Sequence, residues 1–338
     1  MKVLFLTEGS SSIGFGHITR CLSLYQAFQK LGAESHMVVK GDESTRSVLK
    51  GFSYELFDWQ EGWKGFKERL GEFNAVVVDS YLASKSIYED ISECPTTALY
   101  IDDYKRLDYP KGIVLNGSIY AEELSYPQRE GIFYLLGTKY IPLRQAFWRL
   151  EGRRVRKSLK KVLITFGGDD SKNMTPEVIR FLRRHLPEIE LHVVIGGGFK
   201  NREDIYRLSD GKVRLHERLS AEQMKTLMLE ADLAISAGGQ TTYELARTGT
   251  PAILVAVAEN QLLNCEGWHK VGFAKYAGWW EDKELFERLG RYLQEFINYQ
   301  ERLRASRIGK SLVDGKGALR VVKFVLMAFR KGLSYPSL

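Results

Sequence analysis

Cysteine is scarce: the 338 residues hold three, Cys21, Cys94 and Cys265, an odd number set far apart. That spacing excludes a disulfide framework and a paired-cysteine zinc site, and it fits a reducing compartment. Long apolar runs are also missing, none approaching the roughly 18 residues of a membrane span. The opening Met1-Lys2-Val3-Leu4-Phe5-Leu6 is too short for a signal-peptide core and runs straight into polar turn residues. The expectation is a cytoplasmic protein that begins with a buried strand and makes no stable membrane insertion. There is no internal repeat, no low-complexity tract, and no G-x-S-x-G elbow, H-E-x-x-H pair or Walker loop. With 44% hydrophobic and 27% charged residues, disordered and collagen-like classes fall away. What the chain has in excess is positive charge, 49 Lys and Arg against 42 Asp and Glu, a net +7. Such a balance favours acidic ligands such as nucleotide diphosphates, nucleic acid or anionic lipid, without choosing among them.

The length suits two domains of about 150 residues each. Short β-rich runs alternate with helical patterns throughout, the signature of βαβ units and parallel sheets. Strands are expected at 2–6, 36–39, 54–57, 75–79, 97–101, 113–115 and 132–135, then at 162–166, 191–195, 213–216, 233–236, 252–257 and 274–276. The segment 151–161, Glu-Gly-Arg-Arg-Val-Arg-Lys-Ser-Leu-Lys-Lys, is charged and lacks apolar periodicity. It therefore reads as a linker between a domain at 1–150 and one at 162–315. Each is expected to be an α/β, Rossmann-like domain. Ser220-Ala-Glu-Gln223 reads as a capping box, and Gly249 as the stop of a helix beginning near Thr241. A final helix over 316–338, with Leu319, Val322, Val325, Leu326 and Phe329 on its apolar side, is expected to pack back across the junction. Its basic residues and those of the linker read first as a solvated face, with peripheral contact to anionic lipid as the sharper alternative.

The most informative segment is Gly9-Ser-Ser-Ser-Ile-Gly14-Phe-Gly16-His17-Ile-Thr-Arg20, between the first strand and a helix marked by Ile18, Cys21, Leu22, Tyr25, Phe28 and Leu31. Gly14 and Gly16 let backbone approach a ligand, and a helix start attracts an anion. The dinucleotide fingerprint lacks its third glycine, which disfavours NAD. His17 falls in the helix's first turn, where the dipole opposes protonation, so a neutral imidazole able to accept a proton is expected. A second loop, Ser236-Ala-Gly238-Gly239-Gln-Thr241-Thr242-Tyr-Glu244, offers two glycines and two hydroxyls for phosphate and Glu244 for ribose hydroxyls, although a plain capping turn uses the same residues. Asp79 and Tyr81 follow the fourth strand, where Asp79 can orient a side chain and Tyr81 can meet a sugar. Asp102-Asp103 and Asp169-Asp170 read as turn and cap residues rather than metal ligands. Glu259-Asn260-Gln261 with Asn264 form an amide cluster suited to hydroxyl or acetamido groups, or an Asx turn.

Taken together, Ile13-Gly-Phe-Gly-His17-Ile-Thr-Arg20, Asp79-Ser-Tyr81, Ile101-Asp-Asp103, the run Leu136-Gly-Thr-Lys-Tyr140 to Phe147, Thr165-Phe-Gly-Gly168-Asp, Ser236 to Glu244 and Glu259-Asn-Gln261 resemble the PseG family of UDP-sugar hydrolases. The likeness extends over roughly residues 1–280 in order and spacing. It implies the two-domain GT-B fold of MurG-like glycosyltransferases, with an interdomain cleft, a metal-independent reaction without cofactor, and UDP-2,4-diacetamido-2,4,6-trideoxy-β-L-altropyranose, a precursor of pseudaminic acid, as substrate. It also implies catalytic roles for His17, Tyr81 and Asn260, while the loops and strand ends themselves lead to expected substrate contacts from Gly14, Gly16, Arg20, Asp79, Gly238, Gly239, Thr241, Thr242, Glu244 and Gln261. Proteins of spore-coat polysaccharide synthesis share these motifs. The chain departs from the family where an Arg-x-Asp element usually stands, reading Thr7-Glu8-Gly9 and one residue shorter.

The mechanism this suggests is water attack at the anomeric carbon, with His17 as base and the second-domain loop receiving UDP. A glycosyltransferase using an acceptor hydroxyl is the main rival. A noncatalytic nucleotide-sugar or nucleic-acid binding protein is the other, but no RNA-binding motif supports a nucleic-acid partner.

Overall fold

The structure, a computed structural model, describes residues 1–10 and 14–331. Ser11, Ser12 and Ile13 of the first glycine loop, and 332–338 of the expected terminal helix, lie outside the described residues.

The chain divides into two compact units, Met1–Gln145 together with the described residues from Gly315 on, and Ala146–Asp314. In the first, strands β1 (Lys2–Gly9), β2 (Glu34–Gly41), β3 (Tyr54–Leu56), β4 (Ala75–Asp79), β5 (Thr97–Ile101), β6 (Gly112–Asn116) and β7 (Ile132–Leu136) form one parallel sheet, ordered β3-β2-β1-β4-β5-β6-β7. Its central strands read Ala-Val-Val-Val-Asp, Thr-Ala-Leu-Tyr-Ile and Gly-Ile-Val-Leu-Asn and are buried throughout. Such near-continuous apolar runs are what a parallel sheet covered on both faces requires. Leu4, Leu6, Val76 and Val78 pack on one side with Trp59, Tyr88 and Tyr100. On the opposite side Phe5 meets the rings of Tyr25 and Phe28 from the helix Gly16–Lys30.

The second unit repeats the plan with β8 (Lys161–Thr165), β9 (Glu190–Ile195), β10 (Val213–Glu217), β11 (Leu233–Ala237), β12 (Ala252–Ala256) and β13 (Ala274–Trp279), ordered β10-β9-β8-β11-β12-β13. Its core is built from Ile164, Val193, Ile235 and Ile253 of the sheet against Val178, Leu182 and Leu289 of flanking helices. Every expected strand is present, with ends moved by at most three residues.

In each sheet the order reverses beside the first strand of the unit, between β1 and β4 and between β8 and β11. Ligands of open parallel sheets bind outside the carboxyl ends at such a switch point.

Several local expectations are corrected. The charged segment 151–161 belongs to the second unit. Arg153 donates to the carbonyls of Met228 and Ala231 and to Thr250 Oγ1, and Arg156 donates to the Glu230 carbonyl. These carbonyls close the helix Ala221–Glu230 and need outside donors, which the two guanidinium groups supply. That helix opens on the expected Ser220–Gln223 capping box. Leu31, expected on the buried stripe of its helix, is 37% exposed where the helix ends. The helix Gly317–Arg330 joins the first unit through Ala318, Val321, Val322 and Val325, and Phe324 meets Phe133 at 5.5 Å. Phe329, expected on the apolar side, is 39% exposed. A Cβ on Gly317 would stand 2.1 Å from the Ile141 carbonyl oxygen, so only glycine permits that approach. Among the described residues no helix is long and apolar enough to cross a membrane.

Candidate functional site

The switch point of the first sheet brings four residues of the sequence motifs together. Asp79 ends β4 in register with Thr7 of β1. From β1 the chain passes Gly14, at φ +90°, and enters its helix at Gly16 without a side-chain cap. Among the described residues, chain neighbours aside, no atom lies within 4 Å of where a Cβ on Gly14 or Gly16 would stand. His17 and Arg20, three apart, share one face of the helix, and both reach Asp79.

His17 Nδ1 lies 2.7 Å from Asp79 Oδ1, while Arg20 Nε donates to Asp79 Oδ2 and Arg20 Nη2 to Oδ1, each at 2.8 Å. Burial would push the Asp79 carboxyl up, but the Arg20 and His17 charges and their hydrogen bonds bring it down to about 2. An ionised carboxylate only accepts, so His17 Nδ1 carries the proton and Nε2 is the basic nitrogen of the neutral ring. Burial lowers the His17 pKa, yet the charge and hydrogen bond of Asp79 outweigh it and raise the net value above the usual 6.5. This corrects the expectation from the helix dipole. A carboxylate in contact acts more strongly than partial charges at a helix end.

Arg20, expected to touch substrate, is part-buried and bound to carboxylates. Two of its donors serve Asp79 and Nη1 serves Asp103 Oδ1. Tyr81 stands edge-on to the imidazole, ring centres 4.4 Å apart, and its hydroxyl donates to Asp103 Oδ2. Burial and the neighbouring Asp103 charge push its phenol well up, so it stays protonated.

Two further acids complete the arrangement. Glu8, 1% exposed, accepts from the Ser80 hydroxyl, from Gln60 Nε2 at 2.8 Å and from the Tyr81 amide at 2.7 Å. It thereby holds the turn that carries Tyr81. Asp103, read from the sequence as a turn residue, braces Arg20 and Tyr81, whereas Asp102 accepts from the Arg106 amide and the Tyr109 hydroxyl. The signal for both acids was their place at the carboxyl ends of β1 and β5.

In the second unit much of the expected phosphate loop is occupied by the fold. The Gly238 amide donates to Gln261 Oε1 at 3.1 Å, and a Cβ at Gly238 would stand 2.2 Å from Cys265 Sγ. Thr242, fully buried, donates to the Gly239 carbonyl and accepts from Asn264 Nδ2 and Trp268 Nε1, both at 2.9 Å. Asn264 also binds the Gly238 carbonyl at 2.7 Å. Gly238, Thr242, Gln261 and Asn264 thus shape the loop from within. Glu244 is 5% exposed in the helix Thr241–Thr248. Gly239 and Thr241 are part-exposed at the loop's tip, and Asn260 is exposed in the turn Glu259–Gln261. Asn260 lies in the second unit, apart in the chain's division from His17 and Tyr81. Thr242→Val is expected to destabilise the protein by about 1–3 kcal/mol, because two buried donors lose their acceptor. The urea midpoint should fall at unchanged slope, and an unmoved midpoint would contradict the role. No group of three or more His, Cys, Asp or Glu among the described residues is placed to hold a metal ion.

Residues 162–315 match the glycosyltransferase family 28 C-terminal domain. A Helicobacter pylori protein named pseudaminic acid cytidylyltransferase and UDP-2,4-diacetamido-2,4,6-trideoxy-beta-L-altropyranose hydrolase is 24% identical over 278 residues, 81% of this chain and 48% of its own. The spore coat polysaccharide biosynthesis protein SpsG of Bacillus subtilis is 29% identical over 192 residues, 55% of this chain and 56% of its own. This chain spans about half the length of the curated relatives it matches. Among solved structures, MurG of Acinetobacter baumannii superposes with a TM-score of 0.68 at 15% identity, covering 96% of this chain and 99% of that one. The chain therefore has a GT-B fold, its residues 162–315 match a glycosyltransferase family 28 C-terminal domain, and in sequence it is similar to PseG-type UDP-sugar hydrolases and to SpsG.

Proposed function

We propose that the protein hydrolyses a UDP-linked diacetamido-trideoxy hexose of the pseudaminic-acid type to the free sugar and UDP. The observation that carries the reading is the Asp79–His17 pair at the switch point of the first sheet, with Nδ1 held by a carboxylate and Nε2 left as the basic nitrogen. His17 Nε2 takes a proton from water as the water oxygen bonds to the anomeric carbon. The bond from that carbon to the phosphate oxygen breaks, and its electron pair leaves with UDP. Attack opposite the leaving group inverts the anomeric centre. Tyr81 and Asn260 position the sugar, and Gly14 and Gly16 admit it close to backbone. The diphosphate is received by Gly239, Thr241 and the start of the helix Thr241–Thr248, whose dipole favours the departing charge. Glu244 meets the ribose. The names of the hydrolase relatives support this substrate class.

The glycosyltransferase family 28 match favours one second reading, transfer of the sugar to an acceptor hydroxyl through the same base. Incubation with the UDP-sugar and no acceptor, followed by NMR at the anomeric proton, separates the two. Hydrolysis predicts free sugar of inverted configuration in a one-to-one ratio with UDP. Release only when an acceptor is added would replace hydrolysis by transfer.

A further inference from the structure

The outer end of the His17 network holds a carboxylate that the reaction does not touch. Asp103 follows β5, its side chain 18% exposed. Oδ1 accepts from Arg20 Nη1 and Oδ2 from the Tyr81 hydroxyl. Its own carbonyl accepts from Asn116 Nδ2 at 2.8 Å, which ties it to the end of β6. Successive residues leaving a strand diverge, so Asp102 serves the tyrosine cluster while Asp103 serves the site.

Both groups that Asp103 holds touch His17. Arg20 Nη2 lies 3.3 Å from Nδ1, and the Tyr81 ring packs edge-on against the imidazole. We propose that Asp103 is a positioning residue for the reaction at His17: by binding Arg20 and Tyr81 together it fixes the phenol against the imidazole and tempers the positive charge beside Nδ1. The inference rests on His17 being the base.

The groups facing His17 are Asp79 from β4, Glu8 from β1, Arg20 from its own helix and Tyr81 from the turn after β4. Asp79 and Glu8 favour the imidazolium and Arg20 opposes it. Arg20 sits between two carboxylates, so its effect on the ring depends on both. Neutralising Asp103 leaves the guanidinium leaning on Asp79 alone. The opposing charge is then less compensated and the favouring carboxylate more fully neutralised, and both changes weaken the hold of His17 on its second proton.

The test is an NMR titration of the His17 imidazole in the full chain without substrate, with His17→Asn used to assign its signals among the six histidines. In Asp103→Asn the midpoint is expected to fall by about half a unit to one unit, and the acid limb of kcat/KM to move with it. In Asp103→Glu, which keeps the charge and alters its reach, the midpoint is expected to stay while kcat drops at steady KM. An unmoved midpoint in a folded Asp103→Asn protein overturns the proposal, and so does a midpoint that moves in Asp103→Glu. Because the titration needs no turnover, a shifted midpoint without any sugar release upholds the role of Asp103 and overturns the hydrolase reading instead.

Discussion

Replacing His17 by Asn is expected to lower turnover of the UDP-sugar by about 10² to 10⁴-fold, the range that a general base contributes, while UDP affinity stays nearly unchanged. The amide can keep a hydrogen bond to Asp79 but cannot take a proton from water. In the proposed reaction the neutral imidazole is the active form, so kcat/KM should rise with pH through the His17 pKa and level off above it. That pKa is raised by Asp79, which puts the acid limb above 6.5. The same shifts act on stability with opposite signs. The His17 contribution is full below 6.5 and lost as pH rises through the higher folded value. The Asp79 contribution is present above 3.8 and lost as pH falls toward about 2. Initial rates across pH and calorimetric UDP titration of the variant measure the catalytic effects, and urea unfolding across pH measures the stability effects. Turnover within a factor of a few of the native enzyme would remove His17 from the mechanism.

Asp79→Asn is the second large effect, with kcat/KM expected to fall on the order of 10⁴-fold. A carboxylate-to-amide change behind a catalytic histidine has that size elsewhere because it reverses the tautomer. Here the new amide nitrogen would donate to Nδ1 and drive the proton to Nε2, the atom that must accept. Arg20 would lose its bidentate partner in a buried site, which adds a stability loss approaching about 3 kcal/mol. Nitrogen-15 shifts of the His17 ring report the tautomer directly, and thermal unfolding reports the rest. A ring still protonated at Nδ1 with native kinetics would show that Asp79 serves the fold and nothing more.

The first-unit site is a chain of linked contacts. Glu8 holds the Tyr81 turn, Asp103 holds the Tyr81 hydroxyl and Arg20, and Asp79 holds His17. Loss of any one link leaves a buried partner with fewer bonds, so neighbouring substitutions should not add independently.

Both sheets were legible in the amino-acid order because local chemistry sets them. Ala75–Asp79 and Ala252–Ala256 are apolar runs that only a strand buried on both faces accommodates. His17 was legible as well, since glycines before a helix start leave backbone open wherever the helix later packs. The opposite held for Thr242 and Gly238. Their side-chain types suit a phosphate loop and a packed turn equally, and only the approach of Asn264, Trp268 and Cys265 from residues further along the chain committed them to the interior. For Arg20, expected from its motif to touch substrate, only strands β4 and β5 brought the two carboxylates that bind it. The sequence by itself determined the sheets, the helices and the loop carrying the imidazole, because periodicity and backbone preference act within a few residues. Tertiary structure decided the protonation of His17, the partners of Arg20 and the work of Glu8 and Asp103. Charge and hydrogen bonding act through space, and the groups involved stand as many as 83 residues apart along the chain.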